Sequence, residues 1–300
     1  MSIANAPCSW GALEFDLPGQ ALGYARVLDE IKETGYAGTE LGDWGFMPTE
    51  PSALRHALQA RELALVGAFV PVAFVREEAC PEGEHRAVKT ARLMAEAAGD
   101  TPFLVLADDN GKDPDRTQLA GRIEPEHSLS TDQWKRYGDR VNRAAQAVRS
   151  QTGLRSVFHH HCAGYVETPW EIEALLQHTD PALVGLCFDT GHYRFGGGTE
   201  PLQVIRRFGE RIWHVHLKDC SPTVHRQSRG EGWNYFESLR HGIFCELGRG
   251  DVPFPAIVDA LRQAHYRGWL VVEQDVLPGV GSPKEYARRN REFLRQCHLP

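Results

Sequence analysis

The sequence contains no cysteine pair at C-x-x-C spacing. Its seven cysteines, at 8, 80, 162, 187, 220, 245 and 297, are scattered and odd in number. That excludes a disulfide framework and a structural zinc knuckle, and the chain reads as one kept reduced. It also lacks an excess of positive charge. Lysine and arginine number 33 against 40 aspartates and glutamates, a formal net charge of −7. Duplex DNA and anionic membranes both select a basic face, so neither is expected as a partner. No apolar run approaches the roughly 18 residues of a membrane helix. Residues 1–7 show neither the basic nor the apolar region of a secretory signal, so a cytoplasmic chain is expected. Repeats, low-complexity tracts and Pro/Gly linkers are missing too. The 300 residues therefore read as one domain, a length that an α/β barrel uses as a single unit.

What is present is alternation. Short apolar runs at 3–6, 37–41, 64–70, 103–107, 155–161, 183–188, 212–217 and 269–273 alternate with amphipathic stretches near 20–34, 51–62, 84–98, 131–150, 169–178, 200–208, 253–265 and 283–297. Strands and helices in strict alternation predict a (β/α)8 TIM barrel of the α/β class. Thr168-Pro169-Trp170-Glu171 and Ser282-Pro283-Lys284-Glu285 each offer a cap hydroxyl, proline at the first helical position and glutamate at the third. Ser130 with Gln133 opens the longest helix. There Trp134, Tyr137, Val141, Ala144 and Val148 recur at helical spacing and should face the barrel as core. One connection is long: about 34 residues, 219–252, follow the seventh strand. It reads as a loop over the active site, with a short helix near Trp233-Asn234-Tyr235-Phe236. Its alternative role is a contact between copies of the chain.

A barrel of this kind builds its site at the C-terminal ends of its strands. Those ends carry Glu40, then His159-His160-His161, then Asp189-Thr190-Gly191-His192, then His214-Val215-His216-Leu217-Lys218-Asp219, and finally Glu273-Gln274-Asp275. Side chains alternate faces along a strand, which groups His159 with His161, and His214 with His216 and Lys218. Imidazole and carboxylate together suit Mn²⁺, Co²⁺, Fe²⁺ or Zn²⁺ better than Mg²⁺. With no thiolate in the set, the site reads as open and catalytic. His160, pointing opposite to its neighbours, reads as a hydrogen-bonded core residue. His214 either supports a ligand or is structural, and Asp219 can simply cap the turn that follows it. Asp189 is a carboxylate after an apolar run and is costly to bury unpaired.

These residues resemble the sugar phosphate isomerase/epimerase barrels, the xylose isomerase-like or endonuclease IV-like superfamily, and within it the inosose dehydratase branch. The carrying segments are Ala6-Pro7-Cys8-Ser9-Trp10-Gly11, Gly35-Tyr36-Ala37-Gly38-Thr39-Glu40-Leu41-Gly42, the triple histidine, and Phe188-Asp189-Thr190-Gly191-His192. His214 through Asp219, Tyr266-Arg267-Gly268-Trp269 and Val271 through Asp275 complete the pattern. The resemblance implies a divalent metal held by a Glu, an Asp, a His or Gln and a Glu on strands five to eight. The last three fall on Asp189, His216 and Glu273. The strand-five Glu is absent, and His159 most nearly takes its place, with His161 as the other candidate. His192 matches a substrate-contacting histidine.

The branch implies Mn²⁺ or Co²⁺, with Zn²⁺, Fe²⁺ or Mg²⁺ as alternatives, and dehydration of a keto-inositol through an enediolate. A base must then reach the α-carbon, and Glu40, His161 and Lys218 are the candidates. An imidazolium facing the β-hydroxyl would release water. A proton returned to carbon would instead make an isomerase or epimerase. The expected partner is a small polyol or keto-sugar, with self-association left open. An abasic-site nuclease would need a basic face. A barrel that binds sugar without turnover is the remaining alternative.

Overall fold

The computed structural model describes residues 1–13, 15, 22–99 and 101–299. Eight parallel strands close into a barrel: β1 (Ser2–Asn5), β2 (Gly38–Glu40), β3 (Ala64–Val72), β4 (Phe103–Asp108), β5 (Ser156–His159), β6 (Val184–Asp189), β7 (Ile212–Leu217) and β10 (Trp269–Val272). The last of these seals the ring, pairing Ser2 with Trp269 on one side and His216 with Val271 on the other. Helices α1 (Tyr24–Glu33), α2 (Pro51–Gln59), α3 (Cys80–Ala97), α5 (Thr131–Thr152), α6 (Pro169–His178), α8 (Pro201–Phe208), α11 (Phe254–Gln263) and α12 (Pro283–Gln296) are the eight the periodicity predicts. For α1, positions 20 and 21 of the predicted stretch lie outside the described residues. Among the described residues no helix is long and apolar enough to cross a membrane.

Local chemistry accounts for these boundaries. The capping boxes at Ser130/Gln133 and Thr168/Glu171 are both formed, and Trp134, Tyr137, Val141, Ala144 and Val148 are buried along α5. Ser282 makes no cap hydrogen bond. Glu285 pairs with Arg288 one turn on, so only Pro283 acts there as the sequence suggests. A buried ion pair fixes the outer wall: Arg116 of α4 (Pro114–Leu119) grips Glu171 of α6 at 2.8 Å, the two side chains being 2% and 0% exposed.

Two expectations change. The strand expected over 155–161 stops at His159, because His160 turns to accept the Asp189 N–H and His161 N–H pairs with Val166 O. The 219–252 segment is an ordered insertion rather than a loop. Strands β8 (Asp219–Cys220) and β9 (Phe244–Cys245) pair antiparallel at its base, enclosing α9 (Pro222–Glu231) and α10 (Tyr235–Arg240). Its ends are tied by Asp219, whose carboxylate accepts from the N–H groups of Cys220, Gly248, Gly250 and Val252. Its apolar side packs Tyr235, Leu239, Ile243 and Phe244 against Ala120, Cys162, Ala163 and Phe195. Burying that cluster is what orders so polar a segment.

Below the site, Val105, Val157 and Cys187 fill the barrel across three adjacent strands. Residues two positions further along a strand share a face. The alternation that puts Val157 and Cys187 in that layer therefore sends His159 and Asp189 to its top.

Candidate metal centre and active site

His159 from β5, Asp189 from β6, His216 from β7 and Glu273 just past β10 converge there. One ligand atom from each lies within 4.8 Å of the others, and all four residues are buried. His159 Nε2 stands 3.5 Å from Asp189 Oδ2, and His216 Nδ1 stands 3.3 Å from Glu273 Oε1 and 3.9 Å from Asp189 Oδ2. Asp189 divides its carboxylate. Oδ1 accepts the His192 N–H at 2.7 Å and so caps α7 (Thr190–Phe195), while Oδ2 faces the other three. That Oδ2, both ring nitrogens of His159 and Nδ1 of His216 are buried without a hydrogen-bond partner. Unpartnered buried polar atoms are costly. His159 Nε2, Asp189 Oδ2 and His216 Nδ1 face one locus with Glu273, and one ligand atom from each residue makes a nitrogen–oxygen donor set that fits a divalent ion.

The electrostatics agree. Burial pushes the Asp189 pKa up, but Lys218 and His159 outweigh it and hold it at about 2. Burial holds His159 down at about 4 against the pull of Asp189, so its ring is neutral. Burial likewise lowers His216, and Cys187, Glu273 and Glu40 together raise it well above the ordinary value. An incoming ion would therefore have to displace a proton.

Glu40 sits behind this quartet. Its Oε1 lies 2.7 Å from His214 Nε2 and 3.0 Å from His216 Nε2. Burial pushes its carboxyl up, and the two imidazoles hold it down at about 2. A carboxylate so committed is a poor base, which argues against the proton-moving role considered for Glu40. His160 is a core residue whose Nε2 accepts the Asp189 N–H at 3.0 Å, while its Nδ1 is buried without a hydrogen-bond partner.

Lys218, one of the three candidates for the base, is locked as a cation. Its Nζ lies 3.0 Å from Glu273 Oε2, 3.1 Å from both oxygens of Asp275 and 3.8 Å from Asp189 Oδ2. Burial lowers its pKa, but those three carboxylates raise it well above the usual value. Asp275 went unassigned from sequence. Its spacing of two from Glu273 was the available signal, since it places both on one face.

His161 reaches the site from the loop past β5. Its Nδ1 lies 2.5 Å from Cys162 O, which makes Nδ1 the protonated nitrogen and Nε2 the lone-pair one. Tyr235 Oη, from the insertion, stands 3.4 Å from that Nε2. His192 is set the opposite way: the Cys162 N–H donates to its Nδ1 at 3.2 Å. Its Nε2 stands 3.1 Å from Lys218 Nζ. A neutral imidazole has one lone pair, so Lys218 spends its protons on the carboxylates instead. Burial, His161 and Lys218 hold the His192 pKa well below normal. It is no imidazolium.

The cavity above the quartet measures about 50 Å³ and is lined by Ala6, Pro7, Cys8, Ala12, Glu40, Gly42, Asp43, Phe69, His159, His161, His216, Lys218, Glu273 and Asp275. His192 stands behind His161 and Lys218 rather than on that lining. Of the insertion residues expected over the site, Tyr235 comes near it. Arg226 bonds Thr223, Arg229 bonds Gly121 O, and Trp233 stacks on His241 with centroids 4.0 Å apart.

Comparison with known proteins agrees with this architecture. The sequence profile of the xylose isomerase-like TIM barrel family matches residues 28–297. The chain is 32% identical over 299 residues to an inosose dehydratase of Geobacillus kaustophilus (strain HTA426), covering 97% of this chain and 93% of that protein. It is 28% identical over 294 residues to an inosose dehydratase of Lacticaseibacillus casei, covering 98% and 96%. Similar solved structures include a probable 3-DHS dehydratase from Bacillus anthracis (TM-score 0.68, 13% identity, 98% and 99% covered) and a 3-keto-D-glucoside 4-epimerase from E. coli (0.68, 18%, 99% and 100%). The chain belongs to the xylose isomerase-like TIM barrel family.

Proposed function

We propose that this protein is a metal-dependent hydro-lyase that removes water from an uncharged cyclic polyol ketone, a keto-inositol. Similarity along the whole chain to inosose dehydratases supports the reaction class. The observation that carries the substrate class is the charge of the pocket. Lys218 is the single lysine or arginine on its lining among the described residues, and a bound ion would take the place of the proton on His216. The lysine is consumed by Glu273, Asp275 and Asp189. Lys218 and one dication would balance those three carboxylates and leave nothing for an anionic substituent. Residues 14–21, beside the site in sequence, add no lysine or arginine. A phosphate or carboxylate on the substrate would enter a lining that also carries the carboxylates of Asp43 and Glu40.

His159, Asp189, His216 and Glu273 would hold the ion, and their mixed donors favour Mn²⁺ or Co²⁺ over Mg²⁺. When bound, such an ion supplies Lewis acidity to the substrate's carbonyl oxygen. His161 presents the lone pair of Nε2 to the cavity and takes the α-proton. The imidazolium so formed at His161 returns that proton to the departing β-hydroxyl, which leaves as water; Lys218 stays a cation that neutralises Glu273 and Asp275 beside the cavity. His192 packs its ring 3.8 Å from that of His161 and so helps to position it. The insertion 219–252 would wall the site through Tyr235. Cysteines that form no disulfide among the described residues suit a reducing compartment such as the cytoplasm.

Turnover of the Mn²⁺- or Co²⁺-loaded protein on keto-inositols, their phosphate monoesters and keto sugar acids tests this reading. Uncharged ketones should be preferred by at least about a hundredfold, the scale at which an unpaired buried charge discriminates. Equal turnover of the phosphorylated compounds would overturn it.

A further inference from the structure

We infer that Glu40 is a positioning residue that sets the tautomer of His216, and through it the affinity of the centre for a divalent ion. The inference rests on the metal-binding reading above. At neutral pH a carboxylate only accepts hydrogen bonds. With one oxygen 2.7 Å from His214 Nε2 and 3.0 Å from His216 Nε2, both of those nitrogens must carry hydrogen. A neutral imidazole protonated at Nε2 has its lone pair on Nδ1. In His216, Nδ1 is the nitrogen that faces Glu273 and Asp189. Glu40 thus selects which nitrogen is free to ligate, and it does so from the far side of the ring.

The surrounding barrel is shaped for this. The β2–β3 register shifts between Thr39 and Glu40, placing Glu40 opposite Gly67. Such irregularities re-aim side chains at barrel rims. A Cβ on Gly67 would lie 2.9 Å from Glu40 Oε1 and 3.3 Å from Val105, so that glycine leaves the room the carboxylate occupies. His214 holds the same oxygen from one layer below, which keeps Oε1 under His216. Carboxylates that orient a ligating histidine typically affect metal affinity by about 10- to 100-fold when removed.

The test is the Mn²⁺ and Co²⁺ affinity of wild type, Glu40→Gln and Gly67→Ala, by calorimetry or chelator competition, with thermal unfolding of the ion-free proteins alongside. Each variant should bind about 10- to 100-fold more weakly while still unfolding cooperatively. If wild type binds and both folded variants bind within about twofold of it, the inference is overturned; if wild type binds no divalent ion, the metal reading itself has failed. A long-range ¹H–¹⁵N spectrum of zinc-loaded wild type decides the matter even should both variants misfold. His216 should be protonated at Nε2 with Nδ1 bare, and the reverse assignment overturns the inference.

Discussion

The rings of His161 and His192 lie 3.8 Å apart, and the backbone of Cys162 gives them opposite tautomers by offering its C=O to one and its N–H to the other. Only His161 lines the cavity. His161→Asn should therefore cut kcat by about 10²- to 10⁴-fold, the usual worth of a general base, with Mn²⁺ affinity unchanged. His192→Gln should cost less. Single-turnover rates and metal titrations on both variants check this, and equal losses would place His192 in contact with substrate.

Lys218 neutralises three buried carboxylates, so Lys218→Met should leave uncompensated charge. In the ion-free protein that costs about 3–5 kcal/mol. Added Mn²⁺ should then raise the unfolding temperature more in the variant than in wild type, because the ion supplies part of the missing charge. Calorimetric scans with and without chelator measure it. Equal shifts would mean that the lysine and the ion do not share those carboxylates.

The Arg116–Glu171 pair is buried on both sides. Arg116→Met strands Glu171 beside Glu167 and should lower stability by about 3–5 kcal/mol. Adding Glu171→Gln should recover most of that loss, since both charges are gone while an oxygen remains to accept the Glu167 and Thr168 N–H groups. Urea midpoints of the single and double variants decide between this and a purely steric effect.

His225 in α9 has an unpartnered Nε2, and burial together with Arg194 and Arg229 lowers its pKa to about 4. An unfolded histidine takes up its proton near 6.5. Its contribution is therefore present above that pH and lost as pH falls from 6.5 towards 4. His225→Leu should flatten the stability–pH curve over that window by on the order of 2 kcal/mol, discounted for the part of the ring that water reaches. Parallel curves for the two proteins would show that the histidine is not the acid-sensitive group.

Much of this was legible because strand ends and helix starts are local features. Thr168 and Glu171 announce their cap within four residues, and Asp189 and His216 stand at the ends of apolar runs. What depends on chain crossing the barrel was not. Nothing near Glu40 in sequence says that its carboxylate meets two imidazoles on β7, 174 and 176 positions away. Nor does the Asp189 segment say that one oxygen caps α7 while the other faces the quartet. The insertion was read as a loop because α9 and α10 are short and polar. Ser221-Pro222, the same cap-then-proline signature as Thr168-Pro169, was the available signal.

Incubating the Mn²⁺- or Co²⁺-loaded protein with a keto-inositol in deuterated water, and weighing the product by mass spectrometry, tests the central claim most directly. Elimination through His161 gives a product lighter than the substrate by one water. An isomer one mass unit heavier than the substrate, carrying deuterium on carbon, with no lighter species, would contradict the account and make the protein an isomerase or epimerase.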